Sequence, residues 1–140
     1  MTKPRKISRI PLTVVSTTLP STQSMCPDDT LRKEISEASK SAVMPGNIAI
    51  QAIVDFRKIG AHDRYIVLLV KTTAGKKSLL LFNRTDSSFS IIRISEPFMK
   101  AMMRSTHNPT LSCVDMFTVS FSIVDCDGKE CHGKYEAPLQ

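Results

Sequence analysis

The residues of this chain that are best suited to chemistry lie near its C-terminus, where Cys126 is followed by Cys131 and His132. Thiolates and imidazoles are the usual protein ligands of zinc, but a zinc site takes four ligands, most often from two such clusters. This chain has one cluster, so a fourth ligand would have to come from Cys113 or Cys26. We therefore expect ordinary thiols beside a two-residue Asp-Gly hairpin turn, and no metal site.

No other group of residues has the spacing of a catalytic motif. His62, His107 and His132 stand apart from one another in predicted loops or at strand ends. A cysteine and a histidine could still meet in the fold, since catalytic partners need not be neighbours in sequence. However, the chain has no nucleophile elbow, phosphate-binding loop or helical pair of histidines. The sequence therefore favours a protein that is not an enzyme and has neither a cofactor nor a small-molecule substrate.

Charge is distributed more unevenly than any other property. Between Arg57 and Arg104 there are ten Lys and Arg residues but only three acids, and the first ten residues contain four more cations and no acid. The segments 28–56 and 105–140 are acidic, whereas the whole chain carries +6. This segregation is typical of proteins that bind a polyanion, either nucleic acid or an anionic membrane surface. The predicted contact residues are Lys3, Arg5, Lys6, Arg9, Arg57, Lys58, Arg64, Lys71, Lys76, Lys77 and Arg84.

The central cations fall mostly at predicted strand ends and hairpin tips. One connection holds Arg57, Lys58 and Arg64, and the next holds Lys71, Lys76 and Lys77. We expect these side chains to gather into one positive platform in the folded protein. Charged hairpin tips also keep ordinary sheets soluble, so the alternative interpretation is that these cations contact only solvent. Tryptophan is absent and aromatic residues are only 6% of the chain, which argues against recognition of single strands by base stacking.

The elements that position these residues indicate an α+β fold. Apolar residues repeat at helical spacing over 28–43, and Ser95-Glu96-Pro97 begins a second helix that ends near residue 106. Alternating or continuous apolar runs predict strands at 48–56, 65–70, 78–82, 89–94, 118–124 and 131–135. Hairpin-length loops favour antiparallel pairing. We therefore expect one sheet of five or six strands, a curved or sandwich-like meander, packed with two helices.

The first 27 residues have a different composition from the rest. Seven of the twelve residues 13–24 are Ser or Thr, which predicts a flexible basic tail ahead of a single domain at 28–140. Leu12, Val14 and Val15 could instead form a short strand at a sheet edge. No apolar run is long enough to cross a bilayer, and no secretory signal is recognisable. We expect an intracellular protein with reduced thiols, in the cytoplasm or alternatively the nucleus.

The second helix is rich in methionine, which favours adaptable protein contacts. Phe98, Met99, Met102 and Met103 are the predicted self-association residues.

The preferred interpretation is a basic protein that binds a polyanion and forms a homo-oligomer. One alternative is a structural assembly protein that oligomerises and binds membrane or RNA. In combining a compact β-rich domain, basic patches and self-association, the chain resembles small viral matrix proteins of negative-strand RNA viruses, an analogy at the level of the fold. A protein–protein adaptor is the other alternative.

Overall fold

The computed structural model describes residues 27–138 and confirms the α+β class, with two helices and seven strands. The elements are α1 (Pro27–Ser41), β1 (Ile50–Ile59), β2 (Tyr65–Thr72), β3 (Lys77–Asn83), β4 (Ser88–Ile91), α2 (Glu96–Arg104), β5 (Thr110–Asp115), β6 (Thr118–Val124) and β7 (Glu130–Glu136). Short 3₁₀ turns occupy Pro45–Asn47 and Ala61–Asp63. In the described part of the chain, neither helix has the length and apolarity needed to cross a membrane.

The chain divides into two compact units, Met1–Glu34 and Ile35–Gln140. The described part of the first unit is the start of α1, where Asp28 and Asp29 suit the positive end of the helix dipole. The predicted tail, except for Pro27 at the start of α1, lies outside the described residues. So do its cations Lys3, Arg5, Lys6 and Arg9, together with Cys26 and the alternative strand around Leu12, Val14 and Val15. The second unit contains both sheets and α2.

The prediction of one sheet with five or six strands is wrong, because the strands form two antiparallel sheets. The first has the order β1-β2-β3-β4 and the second has the order β5-β6-β7. The strand that sequence patterning missed is β5. Only Leu111 is buried among its six residues, so β5 lacks the apolar alternation by which a half-buried strand is recognised.

The four-stranded sheet is built around β2, whose residues 65–70 are all buried. Val67 and Leu69 face the core that the two sheets share with α2, while Leu68 on the opposite face pairs with Leu80. Because both faces of this strand are covered, its sequence is a continuous apolar run rather than an alternating one. The predicted central strand is therefore confirmed. In contrast, β1 extends to Ile59, so Arg57 and Lys58 lie in a strand and not in the predicted connection.

Helix α2 completes the core of the second unit. Its first turn is capped by the Ser95 hydroxyl, which accepts a hydrogen bond from the Phe98 N–H at 3.3 Å. Phe98, Ala101 and Met102 are buried, and the Phe98 ring lies 6.2 Å from the ring of Phe121 in β6. The helix is two residues shorter than predicted because Ser105 takes an extended conformation.

The β6–β7 hairpin differs by one residue from the predicted two-residue turn. Val124 pairs with Glu130, and the Asp125 N–H donates to the Lys129 carbonyl at 2.8 Å. Three residues therefore form the loop, and Gly128 takes the left-handed conformation (φ 80°) that such a loop requires. The register places Cys131 opposite Ile123, whereas the two-residue turn would have placed it opposite Val124.

Candidate polyanion-binding surface

The predicted cations of the four-stranded sheet form two groups and not one platform. Because the sheet is antiparallel, the last residues of β1 and β3 lie beside the first residue of β2, at one end of the strands. Lys71 follows Tyr65 by six positions along β2, a distance of about 20 Å. One group, which we call the arginine end, consists of Arg57, Lys58, Arg64 and Arg84. The other, which we call the lysine end, consists of Lys71, Lys76 and Lys77 together with Arg104.

The arginine end has carboxylates among its cations. Arg57 donates to Asp55 at 2.7 Å and also to the Phe56 carbonyl at 2.7 Å. The backbone N–H of Arg84 donates to the Arg64 carbonyl at 2.9 Å, which places these two residues side by side. Asp63, Asp86 and Asp115 lie at this end, in the β1–β2 connection, the β3–β4 turn and β5. Asp55 pairs with Leu69 in the middle of β1, and its carboxylate reaches Arg57 from there. This end is therefore close to electrically neutral.

The lysine end begins with two cations that face each other. Lys71 and Lys77 are directly opposite partners across β2 and β3, an arrangement that destabilises a sheet when both side chains are charged. Lys76 lies in the turn between these strands, close to Gly75 with its φ of 80°. Lys71 and Lys76 are exposed, and neither makes an ion pair within residues 27–138.

Lys77 is the one member of the lysine end that is held in place. Its ammonium group donates to the carbonyls of Ser105 at 2.9 Å and His107 at 2.7 Å. These carbonyls follow the C-terminus of α2, where the helix dipole favours a cation. Partial burial lowers the pKa of Lys77 by desolvation. The same contacts bring Arg104, which immediately precedes Ser105, next to the lysines; sequence patterning had not assigned Arg104 to the site.

No acidic residue occurs in the segments that build the lysine end. The sequence contains neither Asp nor Glu in 42–54, 64–85 or 97–114. The neighbouring groove, with a volume of about 490 Å³, does contain Glu130, which lines it with His107 and Asn108. Glu130 itself lies 3.2 Å from His132. The lysine end is therefore a positive surface without carboxylates among its own segments.

Two further grooves meet at Lys76. One, of about 240 Å³, lies between the turns at 46–49 and 72–78. The other, of about 300 Å³, lies between β3, the segment 91–94 and α2; we call it the methionine groove. Lys76 and Ser78 line both grooves. A ligand in either groove would thus reach the lysine end.

The structure separates the four predicted self-association residues. Phe98 and Met102 are 1% and 4% exposed, so they are core residues and cannot form a contact surface. Met99 and Met103 are 46% and 68% exposed and line the methionine groove. Ile91 in β4, which the sequence pattern did not single out, is 52% exposed and lines the same groove.

The cysteine and histidine residues are dispersed. Cys131 packs against the core, whereas its neighbour His132 points to the exposed side of β7 and approaches Glu130. Cys113 and Cys126 are exposed free thiols. Over residues 27–138, no three His, Cys, Asp or Glu side chains come together as a metal site.

Comparison with known proteins leaves the geometry as the basis for function. The chain matches no protein-family model, no curated protein and no solved structure. The candidate site therefore rests on the lysine end and on the two grooves that meet there.

Proposed function

We propose that this protein is a non-enzymatic polyanion-binding protein and that the lysine end is its contact surface. The observation that supports this proposal most strongly is the absence of carboxylates from the segments around Lys71, Lys76 and Lys77. Cations without neighbouring carboxylates attract anions more strongly than cations that lie among carboxylates. The arginine end serves as the internal reference.

Two kinds of cation contribute to the proposed contact. Lys71 and Lys76 are exposed and have long flexible stems, so they can follow the spacing of anionic groups on a partner. Lys77 is held by the carbonyls of Ser105 and His107, so its charge stays at a fixed position. The lysine end thereby combines one fixed charge with adaptable charges around it.

The repulsion between two cations of the lysine end also supports the proposal that this end binds an anion. Lys71 and Lys77 repel each other across β2 and β3, which lowers the stability of the isolated protein. An anion placed between the two ammonium groups would remove this repulsion. Contacts of this kind release counterions, so the affinity is expected to fall steeply with added salt.

The proposal is tested with a matched pair of charge reversals in the full chain, Lys76→Glu and Lys58→Glu. Both lysines are exposed, but Lys76 belongs to the lysine end and Lys58 to the arginine end. A labelled oligothymidylate serves as a plain polyanion probe, and affinity is measured as a function of salt. Lys76→Glu should flatten the slope of log affinity against log salt by about 1, while Lys58→Glu leaves it unchanged. Equal effects of the two variants would refute the assignment of the surface.

We further propose that the protein works in a reducing compartment, because Cys113, Cys126 and Cys131 are free thiols and two of them are exposed. Alkylation of the protein directly after isolation from cells, without added reductant, should modify Cys113 and Cys126. Recovery of these residues already oxidised would contradict the proposal.

A further inference from the structure

The surface next to the lysine end is apolar and open to solvent. Ile91, Met99 and Met103, which are 46–68% exposed, line the methionine groove, and Lys76 and Lys77 line the same groove. Single exposed apolar side chains are ordinary, but a groove lined by several of them indicates an interaction site.

The sequence of α2 explains why these methionines are exposed. At about 100° per residue, Phe98, Ala101 and Met102 share the side that faces the core. Met99 and Met103 lie on the next side of the helix. Glu96, Lys100 and Arg104 lie beyond them, and Lys100 is 3.3 Å from Glu96. The helix therefore changes from buried to exposed apolar and then to charged around its circumference, and Arg104 is the cation on the charged side that makes no ion pair within residues 27–138.

We propose that the polyanion bound at the lysine end is the surface of an anionic lipid bilayer. Met99, Met103 and Ile91 enter the boundary between headgroups and acyl chains, while Lys71, Lys76 and Arg104 bind the phosphates. This inference rests on the proposed function and names its partner.

The combination of charges and apolar side chains favours a bilayer over nucleic acid. Nucleic-acid contacts use cations for phosphates, and polar or aromatic side chains for bases. Aliphatic side chains such as Ile91 and Met103 gain little from such a partner. At a bilayer the same side chains leave water for the acyl boundary, and the cations beside them meet anionic headgroups.

A second copy of the chain is a poorer occupant of the methionine groove. A twofold interface brings the same patch of both copies together. Lys76 and Lys77, which line the groove, would then face their own counterparts, and Glu96 of α2 is already paired with Lys100 at 3.3 Å. An anionic bilayer has the complementary charge.

Neither the apolar contact nor the electrostatic attraction is large by itself, so binding to a bilayer should need both. The exposed apolar surface consists of a few side chains, and the cations act over a short range in salt. We expect the full chain to sediment with phosphatidylcholine vesicles that contain phosphatidylserine. With pure phosphatidylcholine vesicles, or with the mixed vesicles at high salt, it should remain in the supernatant.

The decisive variant is Met99→Ser/Met103→Ser, with Met116→Ser as its matched control. Met116 is 62% exposed in the turn between β5 and β6, at the arginine end. The double variant should bind the mixed vesicles about tenfold more weakly, and the control should bind like the unaltered protein. If the double variant bound the mixed vesicles as tightly as the unaltered protein, the inference would be overturned. The same holds if the double variant lost self-association but kept its vesicle binding, because the groove would then be a contact between copies of the chain.

A tryptophan placed in the methionine groove tests the same contact by its fluorescence. Unlike serine, it keeps the groove apolar. The chain has no tryptophan, so Met103→Trp supplies a single indole. Its emission should shift to the blue with mixed vesicles and stay constant with oligothymidylate, and Met116→Trp should show neither change. A blue shift with oligothymidylate alone would assign the site to nucleic acid and overturn the inference.

Failure of this inference can be distinguished from failure of the proposed function. Oligothymidylate affinity should be the same in Met99→Ser/Met103→Ser as in the unaltered protein, while Lys76→Glu lowers the affinity for both partners. If only the vesicle results fail, the lipid inference falls and polyanion binding stands. If Lys76→Glu changes neither affinity, both proposals fall.

Discussion

Both ends of the four-stranded sheet carry several cations, but they differ in their acids. The arginine end has Asp55, Asp63, Asp86 and Asp115 among Arg57, Lys58, Arg64 and Arg84. The lysine end has no acid in the segments that form it. This difference teaches that the number of cations does not define an anion-binding surface; the positions of the carboxylates do.

The carboxylates of the arginine end are needed by the fold. Those of Asp55, Asp86 and Asp115 accept hydrogen bonds from the backbone N–H groups of Phe56, Ser88 and Phe117, at 2.8, 3.1 and 2.8 Å. This end also joins the two sheets, because the Gly60 N–H donates to the Met116 carbonyl at 2.7 Å. The arginine end is thus structural, whereas among the described cations of the lysine end it is Lys77 whose side chain makes hydrogen bonds to the fold.

The largest effect is expected when the lysine end is made as neutral as the arginine end. Lys71→Glu/Lys76→Glu changes four unit charges, each worth up to about 1 kcal/mol at an anionic surface. After screening, we expect the affinity for anionic vesicles to fall by about 3 kcal/mol, which is more than a hundredfold at low salt. Vesicle sedimentation at low salt measures this loss. A loss below threefold would remove the distinction between the two ends.

The structural contrast between the ends is tested by two glycine substitutions. Gly60 has φ 86° and ψ 168°, and an added Cβ would lie 2.9 Å from the Tyr65 ring. Gly60→Ala should therefore lower the free energy of unfolding by about 2.5 kcal/mol. Gly75 has φ 80° and open space around it, so Gly75→Ala should cost only about 1 kcal/mol. Urea unfolding measures both, and equal costs would contradict the structural role of the arginine end.

The reverse experiment gives the arginine end the charge of the lysine end. Asp55→Asn/Asp63→Asn/Asp86→Asn keeps the side-chain oxygens that accept hydrogen bonds, and Asn suits the positive φ of residue 63. Removal of three negative charges should raise the affinity for anionic vesicles about tenfold. The gain is measured at low salt and should vanish at high salt. An unchanged affinity would show that these carboxylates are not what prevents the arginine end from binding anionic vesicles.

The smallest expected effect concerns stability at the lysine end. Lys71→Glu replaces a repulsive pair with Lys77 by an attractive one. The free energy of unfolding should rise by about 0.5 kcal/mol, although anion binding weakens. Lys71→Gln serves as the control and should give about half of this gain. A lower stability of Lys71→Glu in urea unfolding would contradict the repulsion between Lys71 and Lys77.

Much of the fold was predictable because some elements carry strong local signals. The continuous apolar run 65–70 indicated a strand buried on both faces, and Ser95-Glu96-Pro97 indicated the start of α2. The division into two sheets was not predictable, since β5 buries only Leu111 and has almost no apolar pattern. Without β5, the remaining strands suggest one meander.

The candidate site was predictable only in part. Lys71, Lys76 and Lys77 were assigned correctly to one connection, and Met99 and Met103 to the exposed side of α2. The separation of the cations follows from antiparallel order, because alternate connections of a meander lie at opposite ends. The neutrality of the arginine end does not follow from it, because Asp115 comes from the other sheet and is brought there by the fold.

The most direct test of the lysine end as the polyanion-binding surface is a ¹H–¹⁵N correlation spectrum of the full chain, recorded during titration with inorganic polyphosphate. We predict that, among the resonances of residues 27–138, the largest shifts belong to the turn at 72–77, with Lys71 and residues 104–107 next. Gly60, Arg64 and Arg84 should shift little. Larger shifts at the arginine end, or equal shifts at both ends, would contradict the account.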